Sequence, residues 1–177
     1  MVGCRPSGRN TEQHDVFFGI GETIRDLVPQ LKDFWPSAGK MHVDAWREVT
    51  RVDGYKITVT PKQAAPSASP GYSLYFLNLG GYKQGEFDEF HYKMLVAAQD
   101  QNEALQVAKK TAFYKHTGFK GAPSHIDDKF GVDVDDMHQV KDILLPGQKA
   151  VYSIRMEPEA STEPDELHLG YFPFDKL

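Results

Sequence analysis

One cysteine among 177 residues leaves Cys4 without an intramolecular disulfide partner, so no covalent staple holds this chain and a reducing compartment suits it. Long apolar runs are missing as well. No stretch approaches the roughly 18 consecutive apolar residues that a membrane-spanning helix requires, and no early apolar run has the form of a signal peptide. Positive charge is scarce, with 20 Lys and Arg against 25 Asp and Glu. The deficit lies in residues 63–177, which carry 11 basic against 17 acidic side chains. A phosphate backbone would be repelled by most of that surface, because nucleic-acid affinity comes from clustered Lys and Arg. No HExxH, CxxC or Gly-Lys-Ser/Thr motif occurs, so the sequence names neither a metal nor a cofactor. These absences predict a cytoplasmic protein with no nucleic-acid and no membrane partner. What remains is ample for a core, since 40% of residues are hydrophobic and 12% aromatic.

The chain repeats itself. Gly3-x4-Gly8-x3-Glu12-x-His14, followed by a helical stripe and His42-x-Asp44, recurs as Gly80-x4-Gly85-x3-Glu89-x-His91, a helical stripe and His125-x-Asp127. Internal similarity of this kind points to duplicated supersecondary units. Between the copies Thr60 to Gly71 holds three prolines among small residues and reads as a linker. The organisation is therefore 1–60 first repeat, 61–72 linker, 73–157 second repeat and 158–177 an acidic, then aromatic tail.

Each repeat reads β-β-α-β-β. In the first, His14 to Ile20 is a strand, Thr23 and Asp26 cap a helix carrying Ile24, Leu27, Val28, Leu31 and Trp35, and Asp53-Gly54 turns a closing hairpin. Pro29 should either kink that helix or make it begin later than its cap suggests, and the kink is the expectation. In the second, Tyr72 to Leu79 and His91 to Ala98 are strands and Asp100 with Glu103 caps a helix over Asn102 to Lys115. Met137 to Leu144 and Ala150 to Met156 are expected to be strands joined by a turn at Pro146-Gly147. The fold class is α+β, a tandem duplication in which each unit is a small antiparallel or mixed sheet covered by one helix. The first repeat begins too close to its first glycine for a leading strand. Its sheet edge would then need cover, which the tail segment Leu167 to Phe174 or a second copy in a homo-oligomer would supply.

The runs GCRPSGRNTEQHDVFFGIGE, HVDAW and VDGYKI in the first half, with LGGYKQGEFDEFHYKM, FYKHTGF, PSHIDDKFGVDVDD and VYSI in the second, resemble the bacterial domain-of-unknown-function family 1543. The resemblance implies duplication and a bacterial cytoplasmic protein. It brings no catalytic residue, because the family has no established activity.

Candidate ligand-binding residues are His14, His42 and Asp44 in one half, and His91, His125 and Asp127 in the other. Residues i and i+2 of a strand share a face, so each His-x-Asp pair can converge on one spot and serve as metal ligands or as an Asp-oriented base. The structural alternative, preferred here, is that each imidazole bonds a neighbouring carboxylate or carbonyl and pins its loop. Histidines facing one another with an Asp in reach would favour the chemical reading. Arg5 and Arg9 lie in the first glycine loop and could hold a small anion beside backbone amides. The competing role for these glycines is the positive φ of a turn. The acidic run from Asp127 to Asp136 lacks the EF-hand glycine and glutamate and is read as a solvated turn. The leading expectation is a non-enzymatic protein that binds a small ligand or a protein partner near the surface between the repeats. The alternative is a metal-dependent or His/Asp-assisted enzyme.

Overall fold

Strand β6, Ser73–Tyr82, is apolar along most of its length because it is covered on both faces. The computed structural model describes residues 1–62, 71–82, 85–110, 133–160 and 163–177. Among them the order runs β1 Val2–Cys4, β2 Gln13–Asp15, α1 Val28–Phe34, β3 Met41–Trp46, β4 Arg51–Val52 and β5 Tyr55–Pro61. There follow β6, β7 Glu89–Ala98, α2 Gln101–Ala108, β8 Asp133–Gln139, the short helices α3 Val140–Ile143 and α4 Pro146–Val151, β9 Tyr152–Pro158 and β10 His168–Pro173. The strands form three antiparallel sheets with orders β10-β3-β1-β2, β4-β5-β9 and β7-β6-β8, an α+β architecture with few helices.

One face of β6 presents Tyr75, Leu77 and Leu79, which pack with Val96 and Ala98 beneath Ala104 and Ala108 of α2. Alanines on that helix face allow close approach to the sheet. Leu74 and Phe76, on the other face, join Val52, Ile57, Val140 and Met156 in a core drawn from both halves. The third core lies under α1, where Val2, Cys4, Leu31, Ala38, Met41 and Val43 are buried. Burying side chains of this size contributes roughly 1.5–3 kcal/mol each. Polar contacts also tie the halves together: the Gln148 amide donates to the Ile20 carbonyl at 2.8 Å and to Gln30 Oε1 at 2.6 Å. The Ala97 amide donates to Asp53 Oδ2 at 3.0 Å.

Several sequence expectations are met. The Asp53-Gly54 hairpin joins β4 to β5 with φ of 50° and 80° at the two residues, as a tight mirror-type turn requires. Asp26 Oδ2 accepts hydrogen bonds from the Thr23 amide and hydroxyl at 2.8 and 2.9 Å. Asp100 Oδ1 accepts from the Glu103 amide at 2.9 Å, so the cap of α2 is also formed. The tail covers the first sheet, with β10 paired along β3.

Others need correction. The first half does have a leading strand: Val2–Cys4 is short but central, held between β2 and β3. Only three residues suffice because both neighbours bond to it. Strand β2 ends at Asp15, well before Ile20. Pro29 does not kink a longer helix. A 3-10 turn over Ile24–Leu27 precedes α1, which places Pro29 in the first turn, where its missing N–H removes no helical bond. The residues expected to extend β8 and begin β9 instead form α3 and α4, and Pro146 starts α4 rather than a turn. Asp133 to Asp136 are strand residues of β8 and not part of a turn. The helix expected to reach Lys115 stops sooner: α2 ends at Ala108 with Lys109 as its C-cap, and residues 111–115 lie outside the described residues.

Candidate functional site

Alternation along β3 separates two environments. Val43 and Ala45 line the interior, whereas His42 and Asp44 face outward over β1. The register puts Gly3 between His14 on one neighbouring strand and His42 on the other. Glu12 lies two residues before His14. Four polar side chains thus meet above a residue without one.

The glycine is required by this closeness. A Cβ at position 3 would lie 2.5 Å from His42 Nε2 and 2.7 Å from Asp44 Oδ2. The positive-φ role belongs to Gly8 and Gly85, at 79° and 81°, and not to Gly3 or Gly80, which are strand residues. His42 Nε2 is 3.2 Å from Glu12 Oε1 and 3.0 Å from Asp44 Oδ1. His14 Nε2 is 3.5 Å from Asp44 Oδ2 and 3.8 Å from Glu12 Oε2. The His42 side chain is 6% exposed, against 45% for Glu12 and His14 and 30% for Asp44. Among the described residues His42 is the one polar residue in the buried set. Its Nε2 has no hydrogen-bond partner, and neither has Asp44 Oδ2. Both carboxylates are near enough to His42 Nε2, but they lie off the ring N–H direction, so proximity does not become hydrogen bonding.

The tail completes this side. A bulge between Leu169 and Phe172, with Gly170 at φ 149°, sets the Tyr171 ring against the His42 ring with centroids 4.3 Å apart. His168 stacks on Trp46 at 3.8 Å. Cys4 is buried in the core below, where burial and then the charge of Glu12 push its thiol pKa up, opposite to what a reactive cysteine needs.

The second sheet carries a related cluster. His91 stands opposite Gly80, its Nε2 is 3.1 Å from Asp135 Oδ2 and 3.9 Å from Glu89 Oε2, and a Cβ at Gly80 would lie 2.5 Å from Asp135 Oδ2. The residue opposite Gly80 on the third strand is Asp133. The register partner of His42-x-Asp44 is thus Asp133-x-Asp135, at an offset of 91. His125 and Asp127, expected to fill that role, lie outside the described residues.

His14, His42 and Asp44 therefore come together, and His91 belongs to a separate cluster. Arg5 donates to the Asn10 carbonyl at 3.2 Å, and the Arg9 amide donates to the Pro6 carbonyl at 3.3 Å around Gly8. Since Gly3 is a strand residue, no continuous loop of amides runs from it to Arg9. Reasoning from the sequence kept Glu12 and Glu89 in the repeat signature but not among the candidate ligands, and it read Asp135 as part of a solvated turn. The Glu-x-His spacing of two within an extended segment was the available signal for the glutamates, and the Val-Asp-x4-Val pattern shared by Val43 to Val49 and Val134 to Val140 was the signal for Asp135.

Behind β3 lies a cavity of about 650 Å³. Val2, Val43, Ala45, Leu27 and Leu31 line it from the first half, Ile57 and Val59 from β5, and Leu74, Val140, Leu144 and Ile154 from the second half. Arg47, Glu48 and Lys56 add charge to this lining.

These features define an α+β protein of small antiparallel sheets with histidine–carboxylate clusters over strand glycines. The model of the Domain of Unknown Function (DUF1543) matches residues 9–59, the segment that contains Glu12, His14, His42 and Asp44. No curated protein matches. The crystal structure of a protein Il1583 from Idiomarina loihiensis is similar with a TM-score of 0.65 and 23% identity, covering 98% of this chain and 92% of that one, and shows that the fold is shared. No helix among the described residues is long and apolar enough to cross a membrane.

Proposed function

We propose that this is a bacterial cytoplasmic, non-enzymatic binding protein made of two copies of one module, 1–60 and 73–157, which takes a small, largely apolar molecule in the cavity between them. Support for the duplication comes from matched connectivity: in each module the first strand is central, the second and third flank it, and a helix joins those two. A glycine opposite a histidine recurs at the same place in both.

The cavity carries the ligand reading. A solvent-open pocket of this size, lined by apolar side chains from both modules, offers contact surface that a ligand would cover. Charged groups near Arg47, Glu48 and Lys56 suit a ligand with a polar end. The alternative of a His/Asp-assisted enzyme is favoured by one observation, that His14 and His42 approach the same Asp44.

Titration with the anionic aromatic probe 1-anilinonaphthalene-8-sulfonate tests the ligand reading. Saturable fluorescence at one equivalent is expected, with Ala45→Phe, which fills the cavity, weakening it about tenfold or more, equivalent to about 1.4 kcal/mol. Equal binding by wild type and Ala45→Phe, with melting temperature unchanged, would remove the cavity as the site.

A further inference from the structure

We propose that Glu12, His14, His42 and Asp44 form a binding site for a divalent first-row transition-metal ion, on the face of β3 opposite the cavity. The buried imidazole is the first argument. A polar atom taken out of water and left unbonded is destabilising, and here His42 Nε2 and Asp44 Oδ2 are both in that state within one cluster. Turning the His42 ring away from Asp44 is obstructed on two sides, since β1 lies beneath it and Tyr171 lies against it. One cation among the donors would satisfy both atoms together.

Spacing is the second argument. Ligand atoms about 2.1 Å from a shared ion lie about 3.0 Å apart at an octahedral edge and about 3.4 Å apart at a tetrahedral one. The nitrogen–oxygen contacts in this cluster, each to a different carboxylate oxygen, run 3.0, 3.2, 3.5 and 3.8 Å. Donor atoms of Glu12, His14 and His42 all fall within 4.8 Å of one another. Hydrogen-bonded pairs would show at least one short contact along the N–H axis, whereas Nε2 of His42 is shared between two oxygens and aligned with neither.

Chemistry then selects the ion. Two imidazole nitrogens with carboxylate oxygen suit zinc, iron(II), cobalt(II) or nickel(II) better than magnesium or calcium, which prefer all-oxygen shells. Two carboxylates offset the 2+ charge, so the loaded cluster is close to neutral. Glu12 and His14 remain 45% exposed, which gives the ion an entry route and leaves part of its coordination sphere open to an exchangeable ligand. Gly3 supplies the space that any other residue would occupy with a Cβ.

The full chain, stripped with a chelator and titrated with cobalt(II), reports the site through visible d–d absorption, with zinc(II) as competitor. One equivalent is expected to give the band with micromolar or tighter affinity, zinc(II) should displace it, and His42→Ala and His14→Ala should each weaken binding by about a hundredfold. His14 is exposed enough that its variant keeps the test decisive if His42→Ala fails to fold by circular dichroism. Ala45→Phe, on the other face, should leave the titration unchanged, so failure of the cavity reading is separable from failure of this one. Absence of the band in the wild type, or a band that survives both histidine substitutions, would overturn the proposal.

Discussion

The two clusters share a plan and differ in cover and in composition. Each rises over a strand glycine, with a Glu-x-His arm from one neighbouring strand and an aspartate from the other. In the first sheet the position opposite the glycine is His42, and β10 brings Tyr171 against it, so one imidazole is almost sealed from water. In the second, Asp133 takes that position, and among the described residues no strand pairs with the outer edge of β8. His91, Glu89 and Asp135 there are 35%, 41% and 28% exposed and can be solvated individually. A second histidine opposite the glycine, together with the tail strand, distinguishes the partly buried two-histidine cluster from the more solvated one-histidine cluster.

The helices differ in the same sense, and this gives the largest expected effect. α1 places Leu31 at 2% exposure in the core of the first sheet, while the buried residues of α2 are Ala104 and Ala108. Leu31→Ala should destabilise by about 2–5 kcal/mol through lost burial and a cavity, and Ala104→Gly by about 1 kcal/mol through helix propensity. Urea unfolding of the two variants checks the order. Comparable losses would mean that the helices carry similar weight.

Next come the glycines. Gly3→Ala pushes a Cβ against the buried His42 ring, and we expect a loss of about 1–3 kcal/mol. Gly80→Ala meets the Asp135 carboxylate, which is more exposed and has room to swing outward, so the loss should stay below about 1 kcal/mol. Equal losses in calorimetry would show that exposure does not separate the clusters.

How much of this was legible in the sequence depends on the range of the interaction. Helix caps at Thr23 and Asp100, the Asp53-Gly54 hairpin and the strands β6 and β7 follow from neighbouring residues, and they match the expectation. The brevity of β2 and the helical turns after Gln139 depend on what packs against them, so periodicity misjudged both. For the first cluster, repeated spacing located His14, His42 and Asp44. The roles of Gly3 and Glu12 became visible only once register placed three strands side by side. For the second, β8 places Asp133 opposite Gly80 as β3 places His42 opposite Gly3, whereas His125, matched to His42 by residue type, lies outside the described residues.

Removing the borrowed cover should have a smaller effect. Tyr171→Ala deletes the ring over His42 and should cost about 0.5–1.5 kcal/mol, the usual scale for a paired aromatic contact. Its sharper readout is hydrogen–deuterium exchange at the imidazole C2 position, which should accelerate at His42 and remain unchanged at His91. Acceleration at both, or at neither, would detach the tail from the difference between the clusters.

The smallest effect separates the helix starts by pH. Hydrogen bonds from the Thr23 hydroxyl, then from its amide, hold the Asp26 carboxyl below its ordinary pKa. A carboxylate with a depressed folded-state pKa stabilises fully at pH values above its unfolded pKa, and that contribution disappears as pH falls through the folded value. Thr23→Val keeps the amide and removes the hydroxyl, so it should lower the urea midpoint at neutral pH and lose this effect in the acid range below pH about 4. Because Asp26 is fully exposed, solvent and salt screen the interaction, and the difference should shrink further in 1 M salt. A Thr23→Val deficit that persists unchanged into acid would mean that the hydroxyl acts through packing at the start of α1 and not through the Asp26 charge.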